Sequence, residues 1–378
     1  MGKTLAFCLF KYFPHGGLQR DMLRIALACQ ARGHAVEVYT TGWEGDAPPG
    51  PTLHVRRPTA LANHTRMRQY HRWVAEQLAQ KPADCVVGFN KMPGLDVYYA
   101  ADGCYQAKAL SQKSWLYRLM PRYRQYQAFE AAVFARESGT HILMLSQIQQ
   151  SLYVQYYGTP AEQIHFLPPN VARDRIAGPD APEVRRAFRT EMGLRDEDRL
   201  VLQVGSGFRT KGLDRSLRAL AGLPDALRAR TKLYVAGNDR PGHYVRLARK
   251  LGIGDRVEFL GPRDDVPRLL LGADLLVHPA YHENTGTVLL EALAAGLPVI
   301  TTNVCGYAHY IEQAQAGWVI GEPFDQKRFN RTLRDALGRS DLAEFGRRGA
   351  EFARQADLYG MVEAAVEIIE RLAQRAAT

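Results

Sequence analysis

The chain has 378 residues, more than one ordinary hydrophobic core holds, and this length predicts two domains. Hydrophobic residues make up 46% and charged residues 23%, a globular composition that excludes a disordered chain. Apolar runs long enough for a membrane-spanning helix are absent, and we expect no signal peptide. The net charge of +10 indicates an anionic partner, and nucleic acid, anionic lipid and phosphorylated small molecules all fit it.

The five cysteines are widely scattered and form neither a CxxC pair nor a cluster with histidine. This spacing predicts reduced thiols in a reducing compartment, and it gives no indication of a metal site.

In the first half of the chain, short apolar runs rich in β-branched residues alternate with longer segments of helical spacing. The predicted helices cover 18–32 and 63–80. The predicted strands cover 4–9, 35–39, 84–89, 97–100 and 141–145. Such alternation is typical of parallel βαβ units, in which helices cover both faces of a buried sheet.

The same alternation restarts after Pro168 and Pro169, which predict an extended connector. Its predicted strands are 200–204, 232–236, 257–260, 275–278 and 298–301. Its predicted helices are 183–192, 213–221, 243–251, 266–271 and 287–295. We therefore predict an α/β fold of two Rossmann-like domains facing each other across a cleft, an N-terminal one at 1–170 and a C-terminal one at 171–357. An amphipathic helix at 358–378 can pack on either domain, and a return to the N-terminal domain is our working hypothesis.

Two glutamates, Glu283 and Glu291, flank the predicted start of a helix. A helix rises about 1.5 Å per residue, so the two carboxylates lie roughly 10–12 Å apart, too far for a side-by-side acid/base pair. This separation suits the two polyol ends of a nucleotide sugar, with Glu283 toward the sugar and Glu291 toward the ribose. Asn284 or Thr285 is expected to cap the helix, whose free N–H groups form a natural diphosphate site. The predicted donor contacts of this segment are Glu283, Asn284, Thr285, Gly286, Thr287 and Glu291. The alternative is two structural salt bridges.

The segment around Glu283 resembles the paired-glutamate motif of retaining GT-B glycosyltransferases. The run 205–212 resembles the phosphate clamp of the same enzymes, in which Lys211 matches the clamp lysine. Ser206 stands where the family carries an arginine, and Arg209 is expected to replace it. Two cations here would stabilise a departing diphosphate. The alternative for Arg209 and Lys211 is solvated loop charges.

The first predicted strand ends in a turn that contains Gly16 and Gly17, before a helix that carries Asp21. The turn is not GxGxxG, which argues against an oxidoreductase on paired dinucleotide-binding domains. The resemblance implies that this loop closes over the donor, with Gly16, Gly17 and Asp21 as its contacts.

Longer strings, at 11–14, 16–21, 87–98 and 304–311, resemble the lipopolysaccharide core glucosyltransferase I family, in glycosyltransferase family 4. The resemblance implies a UDP-glucose donor, a lipid-anchored heptose acceptor, retention at the anomeric carbon, and no metal or other cofactor. It also implies a donor-phosphate role for Arg175.

Asp102 follows the predicted strand 97–100, and ligands bind at the carboxyl ends of parallel strands. We hypothesise that Asp102 contacts the reacting sugar or the acceptor hydroxyl, which would add it to Glu283 and Lys211 as a catalytic residue. A helix cap is the alternative.

A basic stretch with interleaved aromatic residues follows Asp102, and no acidic residue occurs in it before Glu130. Cations beside interfacial aromatics suit an anionic membrane surface. The predicted membrane contacts are Lys108, Lys113, Trp115, Arg118, Arg122 and Arg124. A solvated basic helix is the alternative. Single-stranded nucleic acid is a weaker one, because no nucleic-acid motif accompanies the stretch, and we expect no nucleic-acid partner.

Together these features predict a cytoplasmic glycosyltransferase, peripheral at the inner face of the inner membrane, that uses UDP-glucose. Another nucleotide-sugar donor or acceptor, or a non-catalytic nucleotide-sugar-binding protein, remains open.

Overall fold

The structure is a computed structural model that describes residues 2–14 and 16–375. The chain divides into two compact units, residues 1–168 together with 360–378 and residues 169–359. The break falls within the proline pair that marks the connector. Met1, His15 and residues 376–378, the last of these in the predicted C-terminal helix, lie outside the described residues.

The first unit is built on a seven-stranded parallel sheet with the order β3-β2-β1-β4-β5-β6-β7. Its strands are β1 (Thr4–Cys8), β2 (Ala35–Thr40), β3 (Thr52–Val55), β4 (Cys85–Gly88), β5 (Val97–Ala100), β6 (His141–Met144) and β7 (Ile164–Phe166). Its connecting helices are α1 (Gly17–Ala31), α2 (Asn63–Gln80), α3 (Tyr105–Gln112), α4 (Pro121–Phe134) and α5 (Gln147–Tyr157).

The second unit carries a six-stranded parallel sheet with the order β10-β9-β8-β11-β12-β13. Its strands are β8 (Arg199–Val204), β9 (Thr231–Ala236), β10 (Val257–Gly261), β11 (Leu275–His278), β12 (Val299–Thr302) and β13 (Gly317–Ile320). Its helices are α6 (Ala181–Glu191), α7 (Leu213–Ala221), α8 (Asp225–Ala229), α9 (Gly242–Lys250), α10 (Val266–Gly272), α11 (Thr287–Ala294), α12 (Ala308–Gln313), α13 (Gln326–Gly338) and α14 (Leu342–Gln355). In both sheets the strand order reverses beside the first strand, which is the doubly wound arrangement.

The C-terminal helix α15 (Met361–Arg375) lies in the first unit. Its apolar face, which includes Ala365 and Ile369, joins the core formed by α1 and one face of the sheet. Glu370 also accepts hydrogen bonds from Arg32 and His34 at 2.9 Å. Helices α2 and α4 cover the opposite face of the sheet.

A buried carboxylate, Glu130 in α4, organises the chain after β5. It accepts hydrogen bonds from the N–H groups of Tyr105 (2.7 Å) and Gln106 (2.8 Å), so it caps α3 from another helix. It also accepts from the Tyr157 hydroxyl at 2.8 Å and pairs with the Lys91 ammonium at 2.6 Å. One side chain therefore joins three helices and the loop after β4.

Replacing Glu130 with Ala should destabilise the first unit strongly, because the Lys91 ammonium would remain buried without a counter-charge. Breaking a buried pair in this way costs about 3–5 kcal/mol. Thermal unfolding checks this, with the exposed Glu137→Ala as the control. The double change Glu130→Ala with Lys91→Met should recover part of the loss, and a double variant no more stable than Glu130→Ala would contradict the assignment.

Candidate active site

Two loops of the second unit carry most of the predicted donor contacts. The clamp loop, residues 205–212, follows β8, and the glutamate loop, residues 279–286, follows β11. Strands β8 and β11 are neighbours at the point where the strand order reverses. Adjacent loops diverge from such a point and leave a crevice at the carboxyl ends of the strands, where ligands bind. The fold therefore brings together Lys211 and Glu283, which are 72 residues apart.

The two loops are in direct backbone contact. Gly212 has φ +69°, and a Cβ there would lie 2.0 Å from the carbonyl oxygen of Pro279. Only glycine permits both this conformation and this approach. The Tyr281 N–H donates to the Thr210 carbonyl at 2.8 Å. These contacts fix the clamp lysine relative to the glutamate loop.

The buried Arg215, in the first turn of α7, supports the same loop. Its guanidinium donates to the carbonyl oxygens of Pro279 (3.1 Å) and Ala280 (2.9 Å). Its central carbon lies 3.6 Å from the ring centroids of both Tyr281 and Phe324. Both hydrogen bonds come from Nη1, and the planar guanidinium stacks on the two rings, which the ammonium of lysine cannot do. Sequence analysis missed Arg215, since only the folded loops bring its partners together.

Glu283 is the electrostatic centre of this crevice. It forms an ion pair with the Lys211 ammonium, and its Oε2 lies 3.1 Å from Nε2 of His278. Burial would raise the pKa of Glu283, but the His278 hydrogen bond and the Lys211 charge outweigh burial and lower this pKa to about 2. Glu283 is therefore ionised at neutral pH, as a carboxylate that only accepts hydrogen bonds.

His278, the last residue of β11, is a second contact that sequence analysis missed. The histidine is 1% exposed, and because the Glu283 carboxylate only accepts, Nε2 of His278 must carry the proton between them. Its Nδ1 has no hydrogen-bond partner among the described residues. His278 thus orients Glu283 through Nε2. In the sequence, His278 ends the apolar run of β11, and nothing in that pattern indicates a contact with Glu283.

The start of α11 differs from the prediction. Its N-cap is Gly286, with φ +87°, and no side chain caps the helix, so the expected cap by Asn284 or Thr285 is wrong. The positive φ turns the chain at glycine itself, which moves the cap position past both polar residues. Thr285 instead accepts from the Tyr307 N–H through its carbonyl, at 2.8 Å. The helix that begins at Thr287 therefore keeps an N-terminus suited to an anion.

Arg175 lies beside Glu291, with 3.4 Å between Nε and Oε1. Both side chains are largely buried, at 13% and 16% exposure. The backbone around Arg175 is held on α11, because the Ala177 N–H donates to the Ala294 carbonyl at 2.9 Å. The structure thus joins Arg175 to the second glutamate of the motif.

Arg209 lies in the clamp loop with an exposed side chain. It forms no ion pair among the described residues, in contrast to Lys211. Ser206 accepts from the Asn238 N–H at 3.0 Å, so this hydroxyl serves the loop's own backbone.

Two family models match the chain. Residues 15–175 match Glycosyltransferase Family 4, and residues 184–352 match Glycosyl transferases group 1. The chain is 49% identical over 366 residues to the lipopolysaccharide glucosyltransferase WaaG of Escherichia coli (strain K12), covering 97% of this chain and 98% of that one. The chain belongs to the WaaG glycosyltransferase family.

Solved structures agree with this membership. A crystal structure of WaaG, described as a glycosyltransferase involved in lipopolysaccharide biosynthesis, superposes with a TM-score of 0.91 at 48% identity, covering 97% of this chain and 99% of that one. Anabaena Alr3699/HepE in complex with UDP-glucose shares the fold at a TM-score of 0.72 and 19% identity, covering 98% of this chain and 100% of that one. A D-inositol 3-phosphate glycosyltransferase of Salinispora arenicola is 32% identical over 56% of this chain and 51% of its own. The protein is a glycosyltransferase of the GT-B fold.

The first unit of this WaaG-family chain holds the other predicted contacts. Gly16 is the N-cap of α1 and Gly17 its first residue. Asp21, in the next turn, accepts from the Tyr99 hydroxyl at 2.7 Å. A Cβ at Gly16 would lie 2.7 Å from the Phe13 ring, whereas one at Gly17 would meet nothing within 4 Å. The turn is therefore tight at the first glycine and open at the second.

Asp102 is exposed, two residues after the end of β5. Its carbonyl accepts from the Tyr153 hydroxyl at 3.0 Å. It does not cap α3, because Cys104 occupies the N-cap and accepts from the Ala107 N–H through its sulfur, at 3.5 Å. The capping alternative for Asp102 is thus wrong.

The basic stretch of the chain is strongly exposed. A 3-10 helix, Trp115–Leu119, separates α3 from α4. Its apolar side chains face solvent, with exposures of 69% for Trp115, 55% for Leu116, 57% for Leu119 and 49% for the following Met120. The five predicted basic contacts, Lys108, Lys113, Arg118, Arg122 and Arg124, are exposed as well. All five cysteines of the chain are buried and free.

Replacing Arg215 with Lys should weaken UDP binding at least about tenfold, because an ammonium cannot stack as a plane between two rings while it donates to the two carbonyl oxygens. Calorimetric titration with UDP measures this. The exposed Arg334→Lys on α13 is the matched control and should bind as the parent does. Parental UDP affinity in folded Arg215→Lys would contradict the supporting role.

Proposed function

We propose that the protein transfers glucose from UDP-glucose to an inner-core heptose of lipopolysaccharide, with retention at the anomeric carbon. The observation that carries this proposal is the 49% identity to a lipopolysaccharide glucosyltransferase over 97% of the chain. Similarity that extends through both units covers the acceptor side of the molecule as well as the donor side.

The donor diphosphate would bind at the N-terminus of α11, beside Lys211. The helix dipole and backbone N–H groups from Gly286 onward favour negative charge there, and the lysine supplies a full cation. Arg209 would add a second cation from the exposed side of the clamp loop. Glu291, oriented by Arg175, would accept hydrogen bonds from the ribose hydroxyls.

Glu283 would accept hydrogen bonds from the glucose hydroxyls. An ionised carboxylate held by His278 is a preorganised acceptor, so the sugar gains orientation without a rearrangement of the protein. In the reaction, the bond between the anomeric carbon and the β-phosphate oxygen breaks, and UDP leaves with the bonding electrons. The oxygen of the acceptor hydroxyl then bonds to the same face of the carbon, and its proton passes to the leaving diphosphate. Lys211 would stabilise the charge that develops on the leaving diphosphate.

We also propose three donor contacts in the first unit and a fourth residue there that contacts the reacting groups. Gly16, Gly17 and Asp21 lie at the start of α1, where the tight turn would approach the donor. Asp102 would contact the reacting sugar or the acceptor hydroxyl from the carboxyl end of β5. Its exposed carboxylate is compatible with that role. We further propose that no metal is needed, since Lys211, Arg209 and the dipole of α11 supply positive potential.

The acceptor would be reached from a membrane surface. None of the helices in the described residues is long and apolar enough to span a bilayer. The Trp115 segment, residues 105–124, instead combines exposed aromatic and aliphatic side chains with cations. Such a surface inserts apolar groups among lipid headgroups while each cation near anionic lipid contributes about 1 kcal/mol. We propose peripheral docking at the cytoplasmic face of the inner membrane.

The donor and acceptor are tested by UDP release in the presence of EDTA. The purified protein, mixed with heptose-terminated lipopolysaccharide, should release UDP from UDP-glucose and not from UDP-galactose or UDP-N-acetylglucosamine. Lys211→Met should lower kcat by about 10²–10³-fold, the usual loss when one preorganised donor to a developing charge is removed. The exposed Lys250→Met is the matched control.

The outcomes separate the parts of this proposal. Acceptor-dependent release from another donor would keep the transferase and overturn the glucose assignment. Release only after a divalent cation is restored would overturn metal independence. Donor binding without acceptor-dependent release would indicate another acceptor or a binding protein.

Membrane docking is tested by co-sedimentation with vesicles. The protein should bind vesicles that contain phosphatidylglycerol and leave phosphatidylcholine vesicles unbound, because the cations of the Trp115 segment need anionic headgroups. Trp115→Asp with Leu119→Asp should lower vesicle binding at least about tenfold while UDP binding stays at the parental level. Equal binding to both vesicle types, or binding to neither, would contradict docking.

A further inference from the structure

A second exposed segment lies in the first unit, between β3 and α2. The Leu61 segment, residues 56–68, contains the connection after β3 and the first turns of α2. Leu61 is 98% exposed, the highest value among the large hydrophobic side chains of the described residues. A single exposed leucine needs no explanation by itself. The exposure of Leu61 does have an explanation, which lies in its local structure and its charged neighbours.

The connection that presents Leu61 is held in place by α2. The Gln69 side chain accepts from the N–H groups of Thr59 and Ala60, both at 3.1 Å. Its amide also donates to the Thr59 hydroxyl at 3.1 Å. Three hydrogen bonds from one side chain therefore fix the backbone just before Leu61, and the leucine projects from an anchored turn.

The surroundings of Leu61 are strongly basic. From Pro51 to Ala75 the sequence contains no aspartate or glutamate, and it contains five arginines: Arg56, Arg57, Arg66, Arg68 and Arg72. Arg57 and Arg68 are exposed. Arg56 has a carboxylate within reach, Glu76 at 3.6 Å, on an exposed pair that contributes little. The segment thus repeats the composition of the Trp115 segment, an apolar tip among cations.

The fold places both segments on the side of one sheet where the carboxyl ends of its strands lie. All strands of this sheet are parallel, so their carboxyl ends share an edge, and the two segments follow β3 and β5. Helices α2 and α4 both return from that edge and pack side by side, with His71 and Phe129 in edge-to-face contact at 5.4 Å. Each of these residues lies eight positions after the start of its helix. The two helices are parallel, so Leu61 and Met120, which precede their first turns, lie at neighbouring helix starts.

The helix starts themselves add positive potential at this edge. In the described chain, none of α1 to α5 carries an acidic residue in its first turn. Acidic residues are the common choice there, because they offset the positive end of the helix dipole. In the second unit, α6, α7, α8 and α14 each carry one, whereas α9 to α13 carry none. Glu130 from α4 offsets the start of α3, whereas no acidic residue lies in the first turn of α2 or α4, the two helices whose starts adjoin the exposed tips.

We propose that the Leu61 segment is a second docking element for an anionic lipid bilayer, and that it acts together with the Trp115 segment. This inference rests on the membrane docking proposed above. A flat anionic surface accounts for all three observations, which are apolar tips at two separate points, cations around both, and neighbouring starts of α2 and α4 that carry no acidic residue. Two points of insertion also restrict the orientation of the unit on the bilayer more than one point does.

The test uses the full chain and vesicles of phosphatidylglycerol with phosphatidylethanolamine, without acceptor or donor. Leu61→Asp should lower the partition coefficient at least about fivefold, because it replaces an inserted apolar group with a charge repelled by the headgroups. Arg57→Gln with Arg68→Gln should lower it at least about tenfold. Leu27→Asp, on α1 at the opposite face of the sheet, is the matched control and should bind as the parent does. All variants should keep parental UDP affinity and parental turnover on a detergent-solubilised acceptor.

Each other outcome overturns the inference in a distinguishable way. If Leu61→Asp binds as the parent does while the Trp115 variant loses binding, the second element fails and the first one stands. If the parent protein does not bind anionic vesicles, membrane docking itself fails. If a single-stranded oligonucleotide displaces the vesicles and Leu61→Asp weakens binding of the oligonucleotide, the segment binds nucleic acid and the lipid assignment fails.

Discussion

The ionised state of the buried Glu283 is the constraint on which the rest of the second unit depends. A carboxylate whose side chain is only 13% exposed is stable only if it has a counter-charge and hydrogen-bond donors next to it. Lys211 comes from the loop after β8 and His278 from the end of β11, so the pairing of these two strands brings all three groups together. Gly212 then allows the two loops to touch. The strand order, Gly212 and His278 thus together stabilise the ionised Glu283.

Much of this could be predicted from the sequence, and the failures share a physical cause. The predicted strands are the inner strands, whose apolar runs are buried on both faces, together with one partly buried edge strand, β10. The strands not predicted were β3, β7 and β13, which lie at sheet edges and are only partly buried, so they lack such runs. The motif indicated Glu283 and Glu291 as a pair. It could not indicate Arg215 or Glu130, because their partners come from distant segments.

The two units handle charge in opposite ways. In the second unit, two cations at the crevice lie beside carboxylates, Lys211 beside Glu283 and Arg175 beside Glu291, whereas the exposed Arg209 has no ion pair among the described residues. In the first unit, the carboxyl edge of the sheet carries arginines and lysines over two acid-free stretches. Matched charges hold side chains in place for recognition of one small molecule, whereas unmatched ones raise a potential that acts at the range of a Debye length. The net charge of +10 therefore acts at long range mainly through the acid-free stretches of the first unit.

Arg215 shows how a site can be made rigid without adding acidic charge. A buried arginine is most often balanced by a carboxylate, but a carboxylate beside the start of α11 would repel the diphosphate that we propose binds there. Two carbonyl oxygens and two aromatic faces satisfy the guanidinium instead. The two glutamates of the motif, Glu283 and Glu291, each lie next to a cation. The geometry of the glutamate loop is therefore secured by groups that leave the potential at the helix start positive.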